Sequence, residues 1–251
     1  MKTLKVLSAL LSYPSEAMMA AAGEMKAVLA REAVMPPAQV TALSALIDTF
    51  AAADLIELQE RYTFLFDRTR SLSLHLFEHV HGESRDRGQA MVDLIALYET
   101  GGFSATASEL PDYLPLFLEY AATRDPAEAI ELIGQPAHVM AALHERLAKR
   151  ASPYAGVFAA LIALTDARLD RAALEALRAE PDPEPDDLTA LDAAWEEEEV
   201  LFGPGAASAA ACGRDSIVSK VRQAQRPAPG LAAQMPAGPR TAITTSRSPR
   251  A

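Results

Sequence analysis

Residues 61–98 read RYTFLFDRTRSLSLHLFEHVHGESRDRGQAMVDLIALY, and the two helical patterns within this stretch decide the class of fold. Phe64, Leu65 and Phe66 close one apolar run. Met91, Leu94, Ile95 and Tyr98 recur three and four residues apart, the spacing that aligns side chains on one face of a helix. Between the two patterns, HVHGESRDR (79–87) holds His79, His81, Glu83, Arg85, Asp86 and Arg87 around Gly82 and Ser84. Groups that ionise at such different pH values, held between two core-facing elements, point to a place where something binds.

Working outward, the same helical period continues in both directions. Leu4, Leu7, Leu10 and Leu11 predict a short first helix that ends before Pro14, and Ser15 caps the next. Met18, Ala22, Met25 and Leu29 carry that one to Pro36 and Pro37. Val40, Leu43, Ile47 and Phe50 repeat the pattern, and Asp54 starts a helix with Leu55, Leu58, Tyr62 and Leu65 on one side. Ser71–His81 is apolar almost all round and reads as a helix buried on most faces. Ser84 or Asp86 caps the following helix, which the pair Gly101 and Gly102 closes with at least one left-handed residue.

Further on, Leu110, Leu114, Phe117 and Tyr120 form a stripe, and Asp125-Pro126 with Glu128 is a helix start. Helices are expected around Val139–Leu147, from Ser152-Pro153 through Ile162, and over Arg168–Arg178. EPDPEPDD (180–187) reads as an acidic, proline-spaced linker that stays solvated. A last helix is expected over Leu188–Val200, with Trp195 against the body and Glu196–Glu199 opposing the helix dipole. No segment reads as a strand. The expected fold is all-α, a single multi-helix bundle over residues 1–202 followed by a flexible basic Pro/Ala-rich tail over 203–251.

Composition agrees with helices and narrows the partners. Half of the residues are hydrophobic but only 6% are aromatic, with Ala and Leu making the difference, which favours packed helices over a β-sandwich. The net charge of −11 is uneven: the tail from Gly203 is basic, leaving residues 1–202 at −17. Such a body repels nucleic acid and attracts basic peptides. The lone Cys212 excludes an internal disulfide and fits a reducing compartment. The apolar run at Val6–Leu11 is broken by Ser8 and Ser12, too short for a signal peptide's core and far short of the ~18 apolar residues a membrane span needs. A cytoplasmic protein without stable membrane insertion is expected.

His75, Glu78 and His79 spell H-x-x-E-H, a zinc-hydrolase pattern in which two histidines one turn apart share the metal and the glutamate activates water. Its surroundings argue against that chemistry, because Leu74, Leu76 and Phe77 supply no acceptors to orient metal-bound imidazoles. Histidines packed at a core edge are the preferred reading, with no metal and no cofactor. No phosphate-binding glycine loop or nucleophile elbow occurs. Cys212 has no neighbour in sequence that would activate it.

The run LFDRTRSLSLHLFEHVHGESRDRGQAMVDLIALYE (65–99), with LPDYLPLFLEY (110–120) and WEEEEVLF (195–202), resembles the TorD-like molybdoenzyme chaperones, in the branch of the respiratory nitrate reductase delta subunits. The likeness resumes at Cys212, Gly213, Asp215, Ser216 and Ile217 and ends near Val218. It implies a non-enzymatic helical chaperone that binds the apo catalytic alpha subunit through its N-terminal segment. Membrane docking would then be delayed until the molybdenum cofactor and iron–sulfur cluster are in place, with molybdenum cofactor delivery proteins as further partners. Carried onto this chain, the likeness makes Tyr62, Phe66 and Leu76 the wall of a client groove and Glu78, His79, His81, Glu83, Arg85 and Asp86 its polar rim. An adaptor that bridges the reductase to delivery proteins without gripping the peptide is the remaining alternative.

Overall fold

The computed structural model describes residues 1–82, 84–104, 109–165, 168–184, 186–189 and 192. Among them the chain forms twelve α-helices and a single 3₁₀ turn, and the only β-type pairing is an isolated bridge between His75 and Tyr113. The helices are α1 (Lys2–Leu11), α2 (Glu16–Ala20), α3 (Ala22–Glu32), α4 (Pro37–Ala52), α5 (Leu55–Phe66), α6 (Leu76–His81) and α7 (Arg85–Thr100), then α8 (Leu114–Ala122), α9 (Pro126–Gly134), α10 (Ala137–Lys149), α11 (Ala155–Leu164) and α12 (Arg171–Ala179). The 3₁₀ turn, Arg70–Leu72, lies between α5 and α6. The expected helix over Leu188–Val200 and the tail from Gly203, with Cys212, fall outside or almost wholly outside the described residues.

The core is built around α1. Leu4, Leu7, Leu10 and Leu11 are wholly buried, as is Thr3, and the helix packs against α8, α3 and α11. Each enclosed leucine contributes ~1.5–3 kcal/mol relative to an exposed one. A helix this buried cannot leave its first N–H groups to water. Glu32, at the end of α3, supplies the acceptors: its carboxylate takes the backbone N–H of Lys2 at 2.8 Å and of Thr3 at 2.7 Å. Burial opposes that charge, but the two backbone donors outweigh it and hold Glu32 below the usual carboxylate range. The Met1 ammonium donates to Ala122 O at the end of α8, at 2.8 Å, and Ser8 Oγ donates to Pro115 O at 2.7 Å.

Several local signals act as read. Ser15 accepts the N–H of Met18 and Asp54 that of Ile56, so both cap their helices. Gly102 takes the left-handed φ of 84° after α7. Elsewhere tertiary contacts override them. The helix expected over Ser71–His81 is broken, because Ser73–His75 runs extended and pairs with the segment before α8. The acidic stretch from Glu180, expected to stay solvated, lies against α10: Asp182 pairs with Arg150 at 2.7 Å, and Glu184 with the same guanidinium at 3.3 Å. No helix among the described residues is long and apolar enough to cross a membrane.

Candidate functional site at the α6 turn

SLSLHL (71–76) alternates polar and apolar residues, and the helix breaks within it, at Ser73–His75. Leu72, Leu74 and Leu76 are buried at 0, 3 and 3% exposure. The backbone between them is extended enough to exchange hydrogen bonds with the α8 approach: Leu76 N–H donates to Asp112 O at 3.1 Å, and Leu114 N–H to Leu74 O at 2.8 Å. That pairing brings Asp112 to the start of α6. Its fully buried carboxylate accepts the N–H of Phe77 at 3.1 Å and faces His75 Nδ1 at 3.2 Å, capping from a distant segment a helix whose own N-cap residue, His75, supplies no cap. The bond to Asp112 outweighs the cost of burial and raises the His75 pKa.

The histidines of this turn have separate tasks. His75 precedes α6 in an extended conformation, while His79, inside the helix, donates Nε2–H to Ser73 O at 2.8 Å. Burial pushes the His79 pKa down, and the nearby Arg146 guanidinium acts in the same direction. His81 packs edge-on against Phe77, with ring centroids 5.5 Å apart. A metal shared across one helical turn would need both imidazoles on one helix; His75 instead stands before α6 in an extended conformation, its Nδ1 on Asp112, while His79 Nε2 is on Ser73 O. Among the described residues no group of His, Cys, Asp and Glu is arranged to hold a metal ion.

Glu78 pairs with Arg87 of α7 at 3.1 Å, tying the two helices across the turn. Gly82, with φ 52° and ψ −132°, closes α6 in a conformation that L side chains rarely adopt. Asp86 is exposed in the first turn of α7, and Arg85 opens that helix, though its side chain is outside the described residues. Glu83 also lies outside them. Leu76 and Phe77, 3 and 2% exposed, lie in the core beside a small apolar cavity that they line with Leu94, Leu97, Phe117 and Leu132, so Leu76, expected as groove wall, is as deep as Tyr62 and Phe66 below. One short helix therefore joins ionisable side chains to the core.

Tyr62 and Phe66 lie deeper than a groove wall. They are 3 and 4% exposed, and the Tyr62 hydroxyl donates to Leu11 O at 2.9 Å while accepting from Tyr113, also at 2.9 Å. Phe66 meets Tyr62 and Tyr154 at ring distances of 5.0 Å, so these residues support the turn from the core. Tyr13 stacks edge-on against Tyr62 and is half-exposed, so it carries this aromatic cluster to the surface. Asp112, Tyr113, His75 and Arg146 join the assembly without having been singled out as rim residues. The alternation of SLSLHL was the available signal for His75; for Asp112, Tyr113 and Arg146 no local signal exists.

Residues 18–160, more than half of the chain, match the family described as nitrate reductase delta subunit. The chain is 43% identical over 199 residues to the nitrate reductase molybdenum cofactor assembly chaperone NarJ of Escherichia coli K12, covering 79% of this chain and 84% of that protein. It is 40% identical over 202 residues to the probable chaperone of the same kind, NarW, from that strain, covering 80 and 84%. To the probable NarJ of Bacillus subtilis it is 33% identical over 162 residues, covering 64 and 86%.

Proposed function

The chain belongs to the nitrate reductase delta subunit family, and from that membership we propose that it is an assembly chaperone for respiratory nitrate reductase. It binds the apo catalytic alpha subunit in the cytoplasm through that subunit's N-terminal segment. It keeps the subunit competent for insertion of the molybdenum cofactor and iron–sulfur cluster, and then leaves. The observation that carries the reading is the construction of α6, whose buried Leu76 and Phe77 fix the partly exposed Glu78, His79 and His81 in a rigid turn. Ionisable side chains held in fixed positions can set the register of a client segment. The −17 charge of residues 1–202 favours the approach of a basic segment.

Calorimetric titration with a synthetic peptide from the N-terminus of the alpha subunit tests this. Saturable binding is expected, weakened roughly tenfold by Glu78→Ala, His79→Ala or Glu83→Ala. Absence of binding by the wild-type protein, together with retained association with the whole alpha subunit lacking that segment, would replace the reading with an adaptor role.

A further inference from the structure

Arg146 is a buried guanidinium that spans three parts of the fold. It is 7% exposed, and from α10 its Nη1 donates to Ser71 O at 2.7 Å and its Nη2 to Leu177 O at 2.6 Å. The second acceptor lies in the last turn of α12, where a cation is favoured, and also takes the N–H of Glu180 at 3.3 Å. The first belongs to the 3₁₀ turn that leads into α6. The carboxylate of Glu180 lies 3.7 Å from the same guanidinium.

One helical turn further along α10, Arg150 holds the chain after α12. Its Nη1 and Nη2 donate to the Asp182 carboxylate at 3.0 and 2.7 Å, and Nη2 also to Pro183 O at 3.0 Å. The spacing explains the fit. Residues i and i+4 on a helix lie ~6 Å apart, and alternate residues of an extended chain ~6.6 Å apart. Glu180, Asp182 and Glu184, separated by prolines that keep the chain extended, therefore meet Arg146 and Arg150 in register. Ser71 is held by Arg146 at its carbonyl, and its hydroxyl meets Thr69 Oγ1 at 3.2 Å. Two residues later, Ser73 O receives His79.

We propose that Arg146 is a positioning residue for the client-binding turn, and that the acidic strap Glu180–Glu184 is the latch that keeps it engaged. With the strap seated, the 3₁₀ turn is fixed against α10 and α12, and the Ser73 carbonyl that orients His79 is fixed with it. When the strap lifts, Arg146 loses the Glu180 carboxylate and the end of α12 loses its anchor on α10, so the Arg146 bridge from α12 to the 3₁₀ turn slackens, the turn before α6 loosens and client binding weakens. The charged groups that face His79 are Glu78, Asp112 and Arg146. Arg146 therefore acts on the rim by position and by charge. Both α12 and the strap lie beyond residue 160, where the match to the family ends.

The inference rests on α6 being the client site, so its test has a readout that needs no client. In the full chain, Asp182→Asn is expected to speed amide exchange in the strap and also in residues 71–75, with helical circular dichroism unchanged. Binding of the alpha-subunit peptide should weaken roughly tenfold. Arg146→Lys, which keeps the charge but lacks the rigid fork for two carbonyls, should fold yet share the faster exchange at 71–75 and a shifted His79 imidazole resonance. Unchanged exchange at 71–75 in Asp182→Asn, whether or not the strap itself opens, would overturn the latch. So would a peptide affinity in Asp182→Asn equal to that of a wild type that binds. A wild type that does not bind the peptide sinks the proposed function, while the exchange experiment still decides the coupling.

Discussion

The surroundings of α1 and the junction between the 3₁₀ turn, α6 and α10 are both buried, yet they are assembled by different forces. Around α1 the contacts are leucine against leucine, non-directional and spread over many residues, and polar groups enter only at its ends and at Ser8. At the junction the enclosed groups are Asp112, Ser71, Ser73 and Arg146, each placed by directional hydrogen bonds to one or two partners. Apolar packing tolerates exchange of similar volumes. A buried polar network does not, because removing one member leaves another without its partner. Stability should therefore be concentrated in the first region and the geometry of recognition in the second.

The largest effect is expected from Leu7→Ala, which opens a cavity beside α8 and should cost ~2–5 kcal/mol in denaturant unfolding. Peptide affinity of the folded fraction should stay within about twofold of wild type. An affinity that fell with stability would break the contrast between the two regions. Asp112→Asn preserves volume but removes the charge facing His75 and weakens the acceptor for Phe77 N–H. A loss of ~1–3 kcal/mol is expected, with the His75 pKa falling toward ~6.5 in a proton NMR titration and a marked loss of peptide affinity.

The smallest effect sharpens the contrast within the junction itself. His75 has a pKa raised above its unfolded value, so its contribution is complete below ~6.5 and is lost as pH rises through the folded pKa. His79 has a lowered pKa, so its contribution is present above ~6.5 and is lost as pH falls through the folded value. His75→Gln should therefore remove a loss of stability that sets in as pH rises above ~6.5, and His79→Gln one that sets in as pH falls below ~6.5. Parallel profiles for the two variants would show that the two histidines do not occupy opposed environments. His138, also held low by burial, contributes equally to both and cancels in the comparison.

Much of the helical body could be read directly because its signals are local. The three-to-four spacing of Leu4, Leu7, Leu10 and Leu11 gives α1, and Ser15 and Asp54 cap helices through donors two or three residues away. The proposed site is marked in the sequence by its ionisable cluster at Glu78, His79 and His81, but its supports are not. Tyr62 and Phe66 carry the aromatic character of a groove wall, but only their neighbours show that they are core. The break at Ser73–His75 was present as alternation in SLSLHL, yet an apolar run this short is compatible with either period until a partner strand is known.

By itself the sequence determined the all-α class, the order of the helices and the acidic body, because each follows from residues close together in the chain. The tertiary structure alone decided that Asp112 caps α6 from 35 residues away, that Arg146 binds Ser71 across 75, and that a proline-spaced acidic segment is anchored to α10 at Asp182. The physical reason is the same in each case. A buried charge or orphan N–H must be matched by a directional partner, and nothing in the local pattern specifies which distant residue will supply it.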